Sequence, residues 1–269
     1  MLSLEKPVIM GILNATPDSF YNKGRESDTE ALLQKAGQML GEGAAILDIG
    51  GATTKPGAAI IDADEELKRV IPVIEAIVKQ YPDAWLSVDT YNSKTAREAI
   101  AAGASIINDV SSGSIDSEMI ATVAQLGVPY IAMHMQGTPQ TMQKDPQYGN
   151  VVNEVLDYLR QVSDSCYAAG IKDIIIDPGF GFGKTVEHNF ELLRNMHLFR
   201  MLGKPVLAGI SRKSMICRTL NITPEHALNG TTALHMVALQ QGANILRVHD
   251  VKEAREVITL YERMNPLTP

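Results

Sequence analysis

The stretch Ile174-Ile175-Ile176-Asp177-Pro178-Gly179-Phe180-Gly181-Phe182-Gly183-Lys184 decides how the rest of the chain is read. Consecutive β-branched apolar residues read as a strand buried on both faces, as in a parallel sheet. The run stops on Asp177 and Pro178, enters a glycine-rich loop, and gives way to helical spacing near Thr185. A carboxylate at the carboxyl end of a buried parallel strand stands where α/β folds place their chemistry. The same aspartate would also cap the turn that follows it, as aspartates before proline do. The other strand ends must decide between these readings.

Working outward, apolar runs of strand length recur at Val8–Leu13, Ala45–Ile49, Trp85–Asp89, Ser105–Asn108, Pro129–His134, Ile174–Asp177, Val206–Gly209 and Ile245–Val248, eight in all. Helical periodicity fills the gaps. Leu32, Leu33, Ala36, Met39 and Leu40 form one apolar face, ended by Gly41 and Gly43. Asp62 and Glu65 have capping-box spacing before a stripe of Leu67, Val70, Ile71, Ile74, Ile77 and Val78. Pro72 inside that stripe predicts a kink or a late start. Further helices are expected at Ser93–Ala102, Glu118–Leu126, Val151–Ala169 and Val186–Met196, with a short turn after Lys213. Thr223-Pro224 should start a helix that reaches Gln241, and Val251, Ala254, Val257, Ile258 and Tyr261 close the chain. Eight strand–helix units without a linker predict an α/β fold, a single (β/α)8 TIM barrel spanning residues 1–269 as one domain. A doubly wound open sheet is the alternative, because periodicity does not show closure.

The chain has 269 residues and a net charge of −7, which argues against a nucleic-acid surface. Cys166 and Cys217 have neither metal nor disulfide spacing and read as buried bystanders in a reducing compartment. The first residues lack the regions of a signal peptide, and no apolar run is long enough to span a bilayer. A soluble, cytoplasmic protein without nucleic-acid or membrane partners is the expectation.

Polar groups end strand after strand: Asn14, the Asp48–Pro56 loop, Asp89, Asn108-Asp109, His134, Asp177, Ser211-Arg212-Lys213, and Arg247 with His249. Together they predict a functional site on the face where barrel enzymes keep their catalytic groups. Asp89, Asn108 and Asp177 offer carboxylate and amide groups but no nucleophile–base pair. Buried carboxylates need donors from a ligand or a cation, and the paired N–H groups of an amino-pyrimidinone ring suit them. Lys213 can serve a ring carbonyl, while Asn14, Arg247 and His249 suit a phosphate-type group. The glycines of 179–183 could cradle a phosphate, although P-loop spacing is missing, or admit a flat ligand equally well. His134 reads as a structural or supporting residue, and Lys184 as a solvated loop charge.

Met10-Gly11-Ile12-Leu13-Asn14-Ala15-Thr16-Pro17-Asp18-Ser19-Phe20 resembles the first loop of the dihydropteroate synthase family, and Asp48-Ile49-Gly50-Gly51 through Pro56-Gly57 resembles its second. Ser87-Val88-Asp89-Thr90, Ile107-Asn108-Asp109-Val110, Asp177 to Lys184, Ser211-Arg212-Lys213-Ser214 and Arg247-Val248-His249-Asp250 follow in the family's order. The resemblance implies a transferase of folate biosynthesis that joins 6-hydroxymethyl-7,8-dihydropterin pyrophosphate to p-aminobenzoate and releases pyrophosphate. It implies that Asp89, Asn108, Asp177 and Lys213 bind the pterin, with Arg247 stacked on its face. Asn14 would ligate Mg²⁺ beside the pyrophosphate, which Thr54, Arg247 and His249 would hold. Phe20, Pro56, Lys213 and Ser214 would line the p-aminobenzoate site, the Ser214 N–H and helix start suiting its carboxylate. Lys213, Arg247 and His249 would carry the catalytic charge stabilisation. The resemblance also implies sulfonamides as competitors and a homodimer. Asn22, Ala52, Thr53 and Lys55 depart from the aspartate, glutamate, serine and arginine usual in the two loops. A pterin-dependent methyltransferase with the same barrel, and a pterin-binding module with little turnover, are the alternatives.

Overall fold

The structure, a computed structural model, describes residues 2–16, 25–52 and 61–265; Phe20, Asn22, Thr53, Thr54, Lys55 and Pro56 lie outside the described residues. The strands are β1 (Val8–Asn14), β2 (Ile46–Gly50), β3 (Trp85–Asp89), β4 (Ile106–Asp109), β5 (Tyr130–Met133), β6 (Ile174–Asp177), β7 (Leu207–Ala208) and β8 (Ile245–Val248). They form one parallel sheet in the order β6-β5-β4-β3-β2-β1-β8-β7. The two end strands meet through a parallel bridge between Ile176 and Val206, and the Ile176 amide donates to the Pro205 carbonyl at 2.9 Å. That seam joins the sheet into a barrel, which decides against the open, doubly wound alternative. The seam is also where β7 is shorter than its apolar run, because Val206 enters the sheet only as this bridge.

Around the barrel run α1 (Arg25–Glu42), α2 (Ala63–Gln80), α3 (Ser93–Ala101), α4 (Met119–Leu126), α5 (Val151–Ala169), α6 (Val186–Arg194), α7 (Ser214–Leu220), α8 (Leu228–Gln240) and α9 (Val251–Met264). Asp62 caps α2 by accepting from the Glu65 amide at 2.8 Å. The late start expected from Pro72 does not occur: α2 begins at Ala63 and contains Pro72, which sits on its exposed face. On that face the carbonyl that loses its partner can be hydrated, while Val70, Val73, Ile74 and Ile77 stay buried. Thr223-Pro224 starts a 3-10 turn, Pro224–His226, and α8 begins only at Leu228. A second 3-10 stretch, Met196–Leu202, follows α6 and buries Met196 and Phe199. Over so few residues a three-residue spacing is not distinguishable in sequence from an α-helical one.

The isoleucine run now has a physical account. Ile175 points into the barrel with Met10, Ile46, Ile106, Ile131, Leu207 and Ile245, a layer that fills its floor. Ile174 and Ile176 point the other way, into the apolar layer shared by strands and helices. Burying such a side chain contributes roughly 1.5–3 kcal/mol, so β6 is stabilised on both faces. Cys166 is buried as expected and burial pushes its thiol up to about 11, whereas Cys217 is only half-buried. Among the described residues, no helix is long and apolar enough to cross a membrane.

Candidate active site

Side chains alternate along a strand, so the position two residues after each floor residue also faces inward. From Ile46, Ile106, Ile175 and Ile245 that step gives Asp48, Asn108, Asp177 and Arg247. One more step from Asp48 gives Gly50, and the facing residue on β3 is Asp89. Two inward glycines leave room for this polar layer. A Cβ at Gly50 would stand 3.8 Å from both Asn14 Oδ1 and Asp89 Oδ2. One at Gly209 would stand 3.7 Å from Lys213 Nζ and 3.8 Å from Asp177 Oδ2. The polar strand ends thus collect above one apolar floor.

Arg247 ties the layer together. Its Nε donates to Asp48 Oδ2 and its Nη2 to Asp89 Oδ2, each at 2.6 Å. Asn108 Nδ2 also donates to Asp48 Oδ2, at 3.0 Å. Burial pushes the Asp89 carboxyl up; the Arg247 cation pulls it back, while Asp48 adds to the rise. Geometry this short between carboxylate and guanidinium belongs to an ion pair. From outside the barrel, Glu66 Oε2 accepts from Thr90 Oγ1 (2.8 Å), Asn92 Nδ2 (2.8 Å) and Thr95 Oγ1 (2.7 Å), fixing the turn after Asp89. Asp48 was not among the individually expected site residues. It is fully buried inside β2, and only the two-residue step from Ile46 on the inner face could have singled it out.

Asp177 and Lys213 form the second half. The Gly179 amide donates to Asp177 Oδ1 at 2.7 Å. Lys213, just before α7, donates to the Phe180 carbonyl, and its Nζ lies 4.7 Å from the centre of the Phe182 ring. Burial pushes the Asp177 carboxyl up, against Lys213, the Gly179 amide, Arg247 and Lys184. Burial likewise brings the Lys213 ammonium down to about 8, with Asp177 opposing and Arg247 reinforcing the shift.

Lys184 corrects the sequence reading: it is not a solvated charge but 3% exposed. Its Nζ meets His134 Nδ1 at 2.9 Å, the Gly179 carbonyl at 2.9 Å, the Phe182 carbonyl at 3.0 Å and the His134 carbonyl at 3.3 Å. His134 has the supporting place expected of it. Burial, then the Lys184 charge, holds its imidazole down at about 3.

At the rim, Asn14, Ser214 and His249 are exposed. Ser211 Oγ and His249 Nδ1 lie 2.9 Å apart, and the His249 amide donates to the same hydroxyl at 3.2 Å. Arg212, at φ 55°, forks onto Asp250 at 2.8 and 2.7 Å, so the loops after β7 and β8 are fastened to each other. Asp109 takes no part in the site. It accepts from Ser111, Gly113 and the Tyr130 hydroxyl and belongs to its own turn. Ala52 packs beside Tyr91, Val110 and Met133. A cavity of ≈ 670 Å³ lies at the opposite, amino-terminal end, among Lys6, Arg200, Asn244 and Arg255, and no strand-end residue lines it.

Fold and strand ends define a parallel α/β-barrel enzyme with an ion-paired polar layer above its apolar floor. Residues 10–249 match the family of pterin binding enzymes. The dihydropteroate synthase of Escherichia coli (strain K12) is 44% identical over 97% of this chain and 93% of its own length. A Xanthomonas albilineans dihydropteroate synthase solved with 4-aminobenzoic acid is 41% identical, with a TM-score of 0.93 over 99% of this chain and 96% of that one. A Yersinia pestis dihydropteroate synthase in complex with a sulfonamide drug is 42% identical, with a TM-score of 0.92 over 98% and 96%. The chain belongs to the dihydropteroate synthases, transferases among the pterin binding enzymes.

Proposed function

We infer that the chain condenses 6-hydroxymethyl-7,8-dihydropterin pyrophosphate with p-aminobenzoate, releasing pyrophosphate and forming 7,8-dihydropteroate for folate biosynthesis. The observation that carries the residue roles is the convergence of Asp89, Asn108, Asp177 and Lys213 above one floor, with Arg247 crossing it. Asp177 Oδ1 is taken by the Gly179 amide, which leaves Oδ2 to accept from the N–H groups of the pterin edge. Asn108 gives its Nδ2 to Asp48 and keeps its amide oxygen for the ring. Asp89 keeps Oδ1, and Arg247, braced by two carboxylates, offers the flat face of its guanidinium.

No protein nucleophile is required. The bond between the pterin's exocyclic carbon and the pyrophosphate oxygen breaks, and its electron pair leaves with pyrophosphate. The amine of p-aminobenzoate attacks that carbon and then releases a proton. The chain supplies charge, hydrogen-bond donors and positioning: the Arg247 cation and the neutral His249 ring face the leaving group, and Lys213 stands where the two substrates meet. Ser214, exposed at the start of α7, takes the carboxylate of p-aminobenzoate. Phe20 and Pro56 complete that side and Thr54 the pyrophosphate side; these are proposals from the resemblance. A sulfonamide, which the Yersinia pestis relative binds, would compete at the p-aminobenzoate site.

Asn14 fits a role toward Mg²⁺. Asn14 is an exposed residue whose amide oxygen and Asp89 Oδ2 both lie 3.8 Å from where a Cβ on Gly50 would stand, and the described residues contain no cluster of three His, Cys, Asp or Glu that would form a metal cage. Magnesium characteristically takes one or two protein oxygens and completes its shell with phosphates and water. When bound, it would neutralise charge on the departing pyrophosphate. A homodimer and a cytoplasmic location are part of the same proposal; the exposed Leu220, Leu260 and Met264 offer apolar surface for a second copy. Mass-spectrometric detection of dihydropteroate, formed only with both substrates and Mg²⁺, tests the function. Pterin binding without product would instead mark a binding module, and methyl transfer from a methylated folate to a corrinoid protein a methyltransferase.

A further inference from the structure

The loop after β6 has one backbone hydrogen bond of its own, from the Phe182 amide to the Gly179 carbonyl at 3.1 Å, yet each carbonyl from Gly179 to Gly183 has a side-chain donor. Lys184 serves Gly179 (2.9 Å) and Phe182 (3.0 Å), Lys213 serves Phe180, Gln143 serves Gly181 (2.6 Å) and Tyr148 serves Gly183 (2.8 Å). Asn189 Oδ1 accepts from the Gly181 amide at 2.7 Å. The loop is also pressed against the segment that follows β5: a Cβ at Gly179 would stand 1.9 Å from the His134 carbonyl oxygen. Among these donors only Lys184 touches two loop carbonyls and the wall behind them. Its four partners are three carbonyl oxygens, which only accept, and His134 Nδ1, which accepts when the ring carries its proton on Nε2. Burial pulls the Lys184 ammonium well below its ordinary range, and the Asp177 carboxylate opposes that shift. The surrounding acceptors weigh on the same side as Asp177, because an ammonium with three donors fits such a nest, whereas a neutral amine would aim a lone pair at carbonyl oxygens.

We propose that Lys184 is a positioning residue for the pterin site: held as an ammonium by His134, Gly179 and Phe182, it fixes the loop that presents the Asp177 carboxylate and anchors Lys213 through Phe180. The inference rests on the reading of Asp177 as the partner of the pterin. Lys184 never touches the ligand in this scheme. It acts through loop shape and through its charge behind Asp177. The charged and titratable groups around Asp177 are Lys213 before α7, Arg247 on β8, Lys184 in its own loop and His134 at the end of β5. Two of the three cations face the ligand side, so Lys184 is the one that can be altered without removing a ligand contact.

The test is pterin binding by calorimetry across pH in wild-type protein, Lys184→Met, Lys184→Gln and Asp177→Asn, each checked by circular dichroism. Glutamine keeps amide donors without the charge, and it also serves if methionine does not fold. The expected result is pterin affinity about tenfold weaker in Lys184→Gln at neutral pH. The acid limb of its profile should move to higher pH, because Asp177 has lost a stabilising cation. At saturating p-aminobenzoate, KM for the pterin substrate rises more than kcat falls. Unchanged affinity in Lys184→Gln, or a loss equal at every pH with the acid limb in place, overturns the proposal. Undiminished affinity in Asp177→Asn would instead mean that the reading of Asp177 itself has failed.

Discussion

Arg247 Nε lies 2.6 Å from Asp48 Oδ2, and the two residues belong to strands that β1 separates. The guanidinium therefore reaches across the barrel floor, and its other arm continues to Asp89 on β3. A face presented to a ligand from this position cannot rotate away while both carboxylates hold it. Asp48, fully buried, braces the guanidinium through Oδ2, while its Oδ1 has no hydrogen-bond partner among the described residues.

Asp48→Asn should then weaken pterin binding by loosening the hold on Arg247. Removing one charge from a buried pair costs about 3 kcal/mol, or a melting temperature lower by roughly 6–12 °C in a chain of this size. Differential scanning calorimetry and pterin titration on the same sample check it. A variant as stable as wild type with normal pterin affinity would mean that Asp89 alone orients Arg247.

Lys213 should impose an alkaline limit on catalysis. Burial brings its ammonium down to about 8 from the ordinary 10.5, so the charge is present below that pH and lost above it. The pH profile of kcat/KM for the pterin substrate should fall on the alkaline side with a midpoint near 8. Lys213→Arg should move that limb upward while lowering the rate, since a planar fork does not reproduce a point charge. Lys213→Ala should lower turnover and pterin affinity together. A wild-type profile that stays flat to pH 10 would place Lys213 outside the site.

His235 on α8 predicts an effect on stability. It is buried, neither ring nitrogen has a partner among the described residues, and burial brings its imidazole down to about 4 while Asp250 opposes. Its folded value lies below the ordinary 6.5, so the folded state binds fewer protons between those limits. The linked stability is complete above pH 6.5 and drains away as pH falls toward 4. His235→Leu should raise the melting temperature at neutral pH, because an unsatisfied buried polar group costs about 1–3 kcal/mol, and should flatten the acid loss. A lower melting temperature would show that a ring nitrogen has a partner after all.

Much of this was readable in the sequence for a definite reason. Ile174–Ile176 reads the same whichever face is considered, so β6 was found with its bounds, and the polar residues ending β3, β4, β6 and β8 stood out against apolar runs. Closure was not readable, because it rests on a bridge between Ile176 and Val206 that no local pattern encodes. Asp48 was hidden because a carboxylate just before Gly50-Gly51 looks like the start of a loop. Lys184 was misread because a lysine at a helix start is ordinarily hydrated. Only the acceptors of His134, Gly179 and Phe182, brought from two separate loops, make its burial possible. His235 lay unnoticed because a histidine on a helix looks the same in sequence whether or not its ring has partners.

The most direct test of the account is pyrophosphate release by purified protein with Mg²⁺, given the pterin pyrophosphate alone and then with p-aminobenzoate, in wild type and in folded Asp177→Asn. The account predicts release by wild type only when both substrates are present. It predicts a loss of pterin affinity on the order of 2–5 kcal/mol in Asp177→Asn, with release falling accordingly. Release that ignores p-aminobenzoate, or an Asp177→Asn protein that turns over like wild type, would contradict it.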